Sequence, residues 1–325
     1  MILSFDTIMK PTYEITSEIL RLIMAIAQKI GEVNAKYLIK QNPTLRKQNQ
    51  IKTIYFSLNI EGNTLSEEQI TSIIENKRVV GPEKDIREVV NAIEVYQKIK
   101  SYNYQSEKHF LKAHQTLLDH LILDNGKYRN KSVGIVKASK VAHLAPPYTN
   151  VPYLMKDLFE YLKDSSELTL IKSCVFHYEM EFIHPFIDGN GRMGRLWQTL
   201  ILMSEYPVFE FLPFETLISK NQSDYYQTLS MCDKEGKSTK FIEYMLNIID
   251  LSLLRLLENS TKRLNTTERL ALFLENYTTV FTRKDYMKYF SELSTATASR
   301  DLHHGVVIGA LKKIGDKKTS IYQKN

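Results

Sequence analysis

Phe182-Ile183-His184-Pro185-Phe186-Ile187-Asp188-Gly189-Asn190-Gly191-Arg192-Met193-Gly194-Arg195 is the stretch on which the reading of this 325-residue chain turns. Pro185 disfavours helical geometry at His184, so the preceding helix ends there and the imidazole enters a loop. Gly189 and Gly191 permit φ > 0 and close backbone approach. A glycine-rich turn opening a new helix presents unpaired N–H groups and the positive end of the helix dipole, which together make an anion site. Arg192 and Arg195 are three apart on that helix and share a face. Two guanidinium groups beside such a nest suit a polyphosphate. Asp188 offers a hard oxygen to a Mg2+ ion bridging phosphates, and His184 can accept a proton from an attacking hydroxyl.

Other readings of the stretch fail on spacing. Asp188-x-Asn190 opens like a calcium loop, but the fifth, sixth and twelfth positions are Arg192, Met193 and Thr199, which excludes an EF-hand. There is no G-x-x-x-x-G-K-[S/T] phosphate loop.

The string His184-x-Phe186-x-Asp188-Gly189-Asn190-Gly191-Arg192-x-x-Arg195 resembles the full signature of the Fic/Doc family, with no position departing. The resemblance covers roughly residues 50–250. It implies an all-α fold, a Fic-type helical bundle, and transfer of AMP from ATP to Tyr, Thr or Ser hydroxyls of proteins, the protein itself included, with release of pyrophosphate. By resemblance His184 is the general base and Asp188 holds Mg2+. The backbone of Gly189, Asn190 and Gly191 cradles the α- and β-phosphates, Arg192 grips the β-phosphate and Arg195 the γ-phosphate. Met193 and Gly194, inside the same run, are counted with the nucleotide contacts. Doc-type relatives transfer phosphate instead and usually depart at the Asn190 or first-glycine position; both are intact here.

A second motif is Ser57-Leu58-Asn59-Ile60-Glu61-Gly62-Asn63. Ser57 and Glu61, four apart, share a helix face, which by itself describes a solvent-facing pair. Glu61 is nevertheless badly placed at a helix C-terminus, where cations are favoured, and that points to a specific partner. The string resembles the family's inhibitory [Ser/Thr]-x-x-x-Glu-[Gly/Asn] helix. The resemblance implies that Glu61, with Ser57 and Asn63, blocks the γ-phosphate by pairing with Arg195. It also leaves open removal of AMP through Glu61.

Between Ser132 and Tyr148, the residues Val133, Gly134, Ile135, Val136, Val141 and Pro146-Pro147 suggest a β-hairpin. It is either a plain connection or, by resemblance, a flap that docks a target backbone as an added strand. By resemblance Val141, Ala142, His143 and Leu144 border the nucleotide, and Tyr225, Tyr226 and Asp233 match adenine-side positions. His143, His177, His303 and His304 have no metal-ligand spacing and read as structural or surface residues.

Elsewhere helical periodicity dominates. Helices are expected at 14–40, 44–60, 85–100 and 107–122, with a short one capped by Ser66 and boxed by Gln69. They resume at 151–163, 168–183, 191–204, 215–218, 222–232 and 238–258. The texture changes near residue 262, where three short helices, the first capped by Thr266 or Thr267, lead into a two-stranded ribbon. That pattern looks like a winged-helix domain, binding DNA or another protein. The expected division is 1–110 with the inhibitory helix at about 44–63, 111–261 as the catalytic core, and 262–325.

Apolar residues make up 43% and charged residues 25%, ordinary for a folded soluble chain. Residues 262–325 hold 12 Lys and Arg against 6 Asp and Glu, so the whole net charge of +6 lies there. Met1–Leu20 has no signal-peptide core and Leu22–Ala27 is too short to span a bilayer, so no membrane association is expected. Two cysteines without C-x-x-C spacing favour a reducing compartment, and the cytoplasm is the expected location. ATP, Mg2+, a protein target and, as in many relatives, a second copy of the chain are the expected partners. The competing class is a DNA-binding regulator whose core senses nucleotide.

Overall fold

A computed structural model describes residues 11–37, 43–137, 140–164, 166–261, 265–277, 280–290, 293–316 and 320–325. They are mostly helical and fall into two compact units, Met1–Leu257 and Glu258–Asn325.

In the first unit, helix α1 (Ser17–Tyr37) buries Ile19, Leu22, Ile26, Ile30 and Val33 at helical spacing. It starts at Ser17 rather than residue 14, because the Thr16 hydroxyl accepts the Ile19 N–H and caps it. Helix α2 (Pro43–Ile60) ends in a Schellman turn: Asn63 N–H donates to Leu58 O, Gly62 N–H donates to Asn59 O, and Gly62 takes φ 91°. That turn fixes Glu61 at the helix end. The capping box of Ser66 and Gln69 opens α3 (Glu67–Ile74). Helix α4 (Glu83–Gln97) begins two residues earlier than expected, straight after Pro82, and passes into a 3-10 turn at Ile99–Ser101. Helix α5 (Glu107–Leu117) stops five residues short of the expected end, and His120 beyond it has φ 57°.

Strands β1 (Gly134–Lys137) and β2 (Lys140–Leu144) form the expected antiparallel hairpin, with Gly134 opposite Leu144 and an irregularity between Ile135 and Val136. Helix α6 (Val151–Leu162) follows. At the centre are α7 (Thr169–Ile183) and α8 (Asn190–Met203), both buried on nearly every side. Helices α9 (Glu215–Lys220), α10 (Gln222–Glu235) and the part of α11 (Thr239–Thr261) up to Leu257 complete the unit, with β2 running beside α10. One hydrophobic core runs from Ile19 to Leu257, so the N-terminal helices and the expected catalytic segment share it and no boundary between compact units falls near residue 110.

The second unit contains α12 (Thr266–Asn276), β3 (Phe281–Thr282), α13 (Arg283–Tyr289), α14 (Thr295–Val307), β4 (Leu311–Ile314) and β5 (Ile321–Lys324). Its ribbon has a third strand that the sequence reading missed, in the order β3-β5-β4; two residues are too few to show alternation. The cap of α12 is Asn265, paired with Glu268, rather than Thr266 or Thr267. Phe273, Tyr286, Leu302 and Leu311 centre the core. The buried Asp301 carboxylate accepts bonds from Arg269, Thr266 and Tyr286, tying α12, α13 and α14 together. Among the described residues no helix is long and apolar enough to cross a membrane.

Candidate active site

The connection from α7 to α8 is a loop whose backbone is held from several sides. His184 caps α7 in the left-handed region (φ 50°, ψ 58°), which costs a non-glycine residue about 1 kcal/mol or more. Its N–H donates to Met180 O at 3.0 Å, and its carbonyl accepts Arg129 Nε at 2.8 Å. Arg129 is buried and also donates to the carbonyls of Lys131, Pro146 and Ile183, while its backbone N–H reaches Pro185 O. One guanidinium therefore gathers the end of α7, the loop leading to α8 and the segment after the hairpin.

Two further clamps shape residues 186–190. The Asn190 side chain both accepts from Phe186 N–H and donates to Phe186 O, each at 2.9 Å. The Phe186 ring stacks on His114 at 3.6 Å between centroids. His114 Nδ1 accepts the Gly126 N–H at 2.8 Å, so the ring proton sits on Nε2 and donates to Asp188 O at 3.0 Å. Burial pushes the His114 pKa down to about 4, so the ring is neutral. Gly189 takes φ 87°, and a Cβ there would lie 2.7 Å from Leu118 Cδ2. At Gly191 a Cβ would lie 2.3 Å from Glu61 Oε1, so a side chain there would push that carboxylate from its place.

Both arginines are held by carboxylates. Arg195 is completely buried; it donates to Glu61 Oε1 at 2.7 Å, to Ser57 Oγ at 3.2 Å and to Ser57 O at 2.9 Å. Burial alone would lower its pKa, but Glu61, Tyr225 and Glu181 outweigh it and raise the value. Arg192 donates to Glu88 Oε1 of α4 at 3.2 Å and to Asp188 Oδ1 at 2.8 Å. The Asp188 pKa is raised by burial and lowered by more through Arg192 and the Gly189 N–H, so it stays below the ordinary carboxylate value.

A cleft of about 210 Å³ has Glu61 and Asp188, the carboxylate partners of the two arginines, in its lining. Its lining includes Glu61, His184, Asp188 and Gly189–Gly191 together with Phe182, Tyr225, Tyr226 and Asp233. The Tyr178 hydroxyl donates to Asp233 Oδ1 at 3.1 Å. The Tyr225 hydroxyl lies 3.0 Å from His177 Nε2 and 3.2 Å from Glu181 Oε1. Met193 and Gly194 are not among the residues that line the cleft. Met193 is fully buried, and a Cβ on Gly194 would meet His177 at 2.8 Å, so this glycine lets α8 pack closely on α7. The side chains of Val141, Ala142, His143 and Leu144 lie outside the described residues. Arg129, His114, Glu88 and Glu181 were not found from the sequence. Among the described residues no group of three or more His, Cys, Asp or Glu is arranged to hold a metal ion.

Comparison with known proteins follows the same site. The family model described as Fic/DOC family matches residues 104–202. Protein adenylyltransferase fic-1 of Caenorhabditis elegans is 31% identical over 216 residues, covering 62% of this chain and 40% of that protein. Protein adenylyltransferase Fic of Drosophila melanogaster is 27% identical over 220 residues, covering 64% of this chain and 42% of that protein. The chain thus spans about two-fifths of the length of the curated relatives it matches. A crystal structure of a Fic family protein from Desulfovibrio desulfuricans G20 is 35% identical, with a TM-score of 0.76 and 98% of each chain covered. The structure of C. elegans Fic-1 is 22% identical with a TM-score of 0.63, covering 74% of this chain and 72% of that one, and speaks to the fold alone.

Proposed function

The chain belongs to the Fic/DOC family, and on that premise we propose that it is a protein adenylyltransferase restrained by its own Glu61. The observation that carries the reading is the convergence of His184, Asp188 and the Gly189–Gly191 nest on one cleft, with Glu61 of the same lining holding the buried Arg195.

In this reading ATP lies with its phosphates over the nest and its base toward Tyr225, Tyr226 and Asp233. A target hydroxyl attacks the α-phosphorus, His184 takes the hydroxyl proton, the α–β bridging bond breaks, and pyrophosphate leaves. The Asp188 side chain, 42% exposed, suits one Mg2+ ion completed by phosphate oxygens and water. That ion, when bound, supplies charge neutralisation. Arg192 and Arg195 stabilise the β- and γ-phosphates. Glu61 takes the γ-phosphate's place on Arg195, so basal transfer is slow. The hairpin of β1 and β2 offers a strand edge for a target backbone.

The test is a mass-spectrometric search for an AMP adduct on proteins incubated with ATP, Mg2+ and the Glu61→Gly variant. Adducts that vanish with His184→Ala support the reading, and their absence from Glu61→Gly removes it. Glu61 beside the nest also supports a second reading, net removal of AMP through water positioned by that carboxylate. Loss of AMP from a pre-modified target with wild type but not Glu61→Gly would select it.

For the C-terminal unit we propose a winged helix that contacts duplex DNA. The order helix, strand, helix, helix, strand, strand supports it, as do exposed Arg300 and His303 on α14 and Lys312 and Lys313 on β4. Lys317 and Lys318 lie outside the described residues. Salt-dependent retardation of DNA by the full chain, lost with Arg300→Ala and Lys313→Ala together, is the expected result. In the competing reading, a DNA-bound nucleotide sensor, His184→Ala leaves regulation intact. The buried free thiols of Cys174 and Cys232 support a reducing compartment, taken here as the cytoplasm.

A further inference from the structure

Glu88 lies on the inner face of α4 among Val89, Ala92 and Val95, and it is almost completely buried. Its two oxygens have different partners. Oε1 accepts from Arg192 Nη1 at 3.2 Å, and Oε2 accepts from Asn63 Nδ2 at 2.9 Å. Asn63 belongs to the turn that carries Glu61. Its amide also donates to Asp85 O at 3.1 Å, and its Oδ1 accepts the Leu65 N–H at 3.1 Å. Thr64, next along, donates its N–H and hydroxyl to Asp85 Oδ2. The turn after α2 is thus bolted to the first two turns of α4. A buried carboxylate is costly unless its oxygens are paired. Here the pairing is divided between the inhibitory turn and the first arginine of the phosphate site.

We propose that Glu88 is a positioning residue shared by the brake and the phosphate site, one oxygen holding Arg192 and the other latching the turn that carries Glu61. The proposal deepens the adenylyltransferase reading and rests on it. On the Arg192 side, Glu88 supplies a standing counter-ion through Nη1 and leaves Nη2 to Asp188, which borders the cleft. Without Glu88, Asp188 would be the only remaining carboxylate on Arg192 among the described residues and would be drawn away from a nucleotide-bound cation. Among the described residues the only other cation within 4 Å of Glu88 is Lys84, at 3.9 Å and exposed. On the Asn63 side, loss of the latch frees the turn and lets Glu61 leave Arg195. An amide at position 88 accepts at one end only, so Glu88→Gln must lose one of the two bonds with little change of shape.

The experiment uses the full chain and four variants: Glu61→Gly, Glu61→Gly with Glu88→Gln, Asn63→Ala, and Asn63→Ala with Glu61→Gly. Affinity for ATP with Mg2+ is read by titration calorimetry, and transfer from labelled ATP is read alongside it. Amide hydrogen exchange across residues 58–65 is followed by mass spectrometry. Adding Glu88→Gln to Glu61→Gly is expected to weaken ATP binding about tenfold, the scale of one charge-assisted hydrogen bond. Asn63→Ala is expected to speed exchange across 58–65 and to raise transfer several-fold in the wild-type background, adding nothing to Glu61→Gly. Unchanged ATP affinity with Glu88→Gln, unchanged exchange with Asn63→Ala, or a rise in transfer that persists in Glu61→Gly would each overturn the shared role. If Glu61→Gly binds ATP but transfers nothing, the adenylyltransferase reading fails, while calorimetry and exchange still decide the role of Glu88.

Discussion

The Arg195 guanidinium and the Glu61 carboxylate meet at 2.7 Å across a steep gradient of exposure: the arginine side chain is 0% exposed and the glutamate 32%. The buried partner sits on the central helix α8, and the accessible partner closes α2. Ser57, one turn earlier on α2, supplies the other two acceptors of Arg195. Withdrawal of this one helix end would strip Arg195 of all three contacts together and open it to an anion. A graded response follows. Glu61→Gln keeps a neutral hydrogen bond and loses the charge, so AMP transfer is expected to rise in the order wild type, Glu61→Gln, Glu61→Gly. Rates from labelled ATP check it, and a Glu61→Gln rate equal to or below wild type would contradict it.

Arg129 is expected to matter for stability and activity together. Its side chain satisfies carbonyls from Lys131, Pro146, Ile183 and His184, that of Ile183 buried and the others partly so. Arg129→Met keeps much of the apolar stem and orphans these acceptors, at about 1–3 kcal/mol for each that stays dry. Urea denaturation should show a loss of about 3 kcal/mol or more. The surviving folded protein should bind ATP poorly, because His184 loses its carbonyl anchor. A loss under about 1 kcal/mol would mean that water replaces the guanidinium.

Glu215, the first residue of α9, gives the fold a pH dependence. It is fully buried, and desolvation pushes its pKa up to about 8, with its backbone amide and Arg195 pulling partly back. The folded state therefore holds a proton that the unfolded chain releases near the ordinary value of 4.5. Its stabilising contribution is complete below the unfolded pKa, declines as pH rises toward about 8, and is level above that. Glu215→Gln removes this dependence. Urea midpoints of wild type relative to Glu215→Gln should fall between about pH 5 and about pH 8. Parallel curves would show that the carboxylate ionises in place.

Much of this architecture was readable in the sequence because it is local. Pro185, the glycines of 189–191 and the apolar stripe of α1 act through neighbouring residues, so spacing alone revealed the helix ends, the glycine turn that opens α8 and the first core helix. Glu61 was legible because a carboxylate at a helix C-terminus is unfavourable without a partner. What stayed hidden is held by contacts distant in sequence. Arg129 lies in an unremarkable loop, and its acceptors are backbone carbonyls, which no sequence displays. Glu88 gave a faint sign as a charge inside an apolar stripe, and Glu181 as a carboxylate one turn before His184, but neither names its partner. For Met193 and Gly194, adjacency to the motif suggested nucleotide contact, while the helical period of α8 places the Met193 side chain in the core. Strand β3 was missed because two residues cannot show a period of two.

The most direct test follows where the label goes when ATP is marked at either the α- or the γ-phosphate and incubated with Mg2+ and the Glu61→Gly chain. Transfer of the α-label to protein, no transfer of the γ-label, loss of the signal with His184→Ala and a weaker signal with wild type are the expected results. A γ-label on protein, or an α-label signal as strong in wild type as in Glu61→Gly, would contradict it.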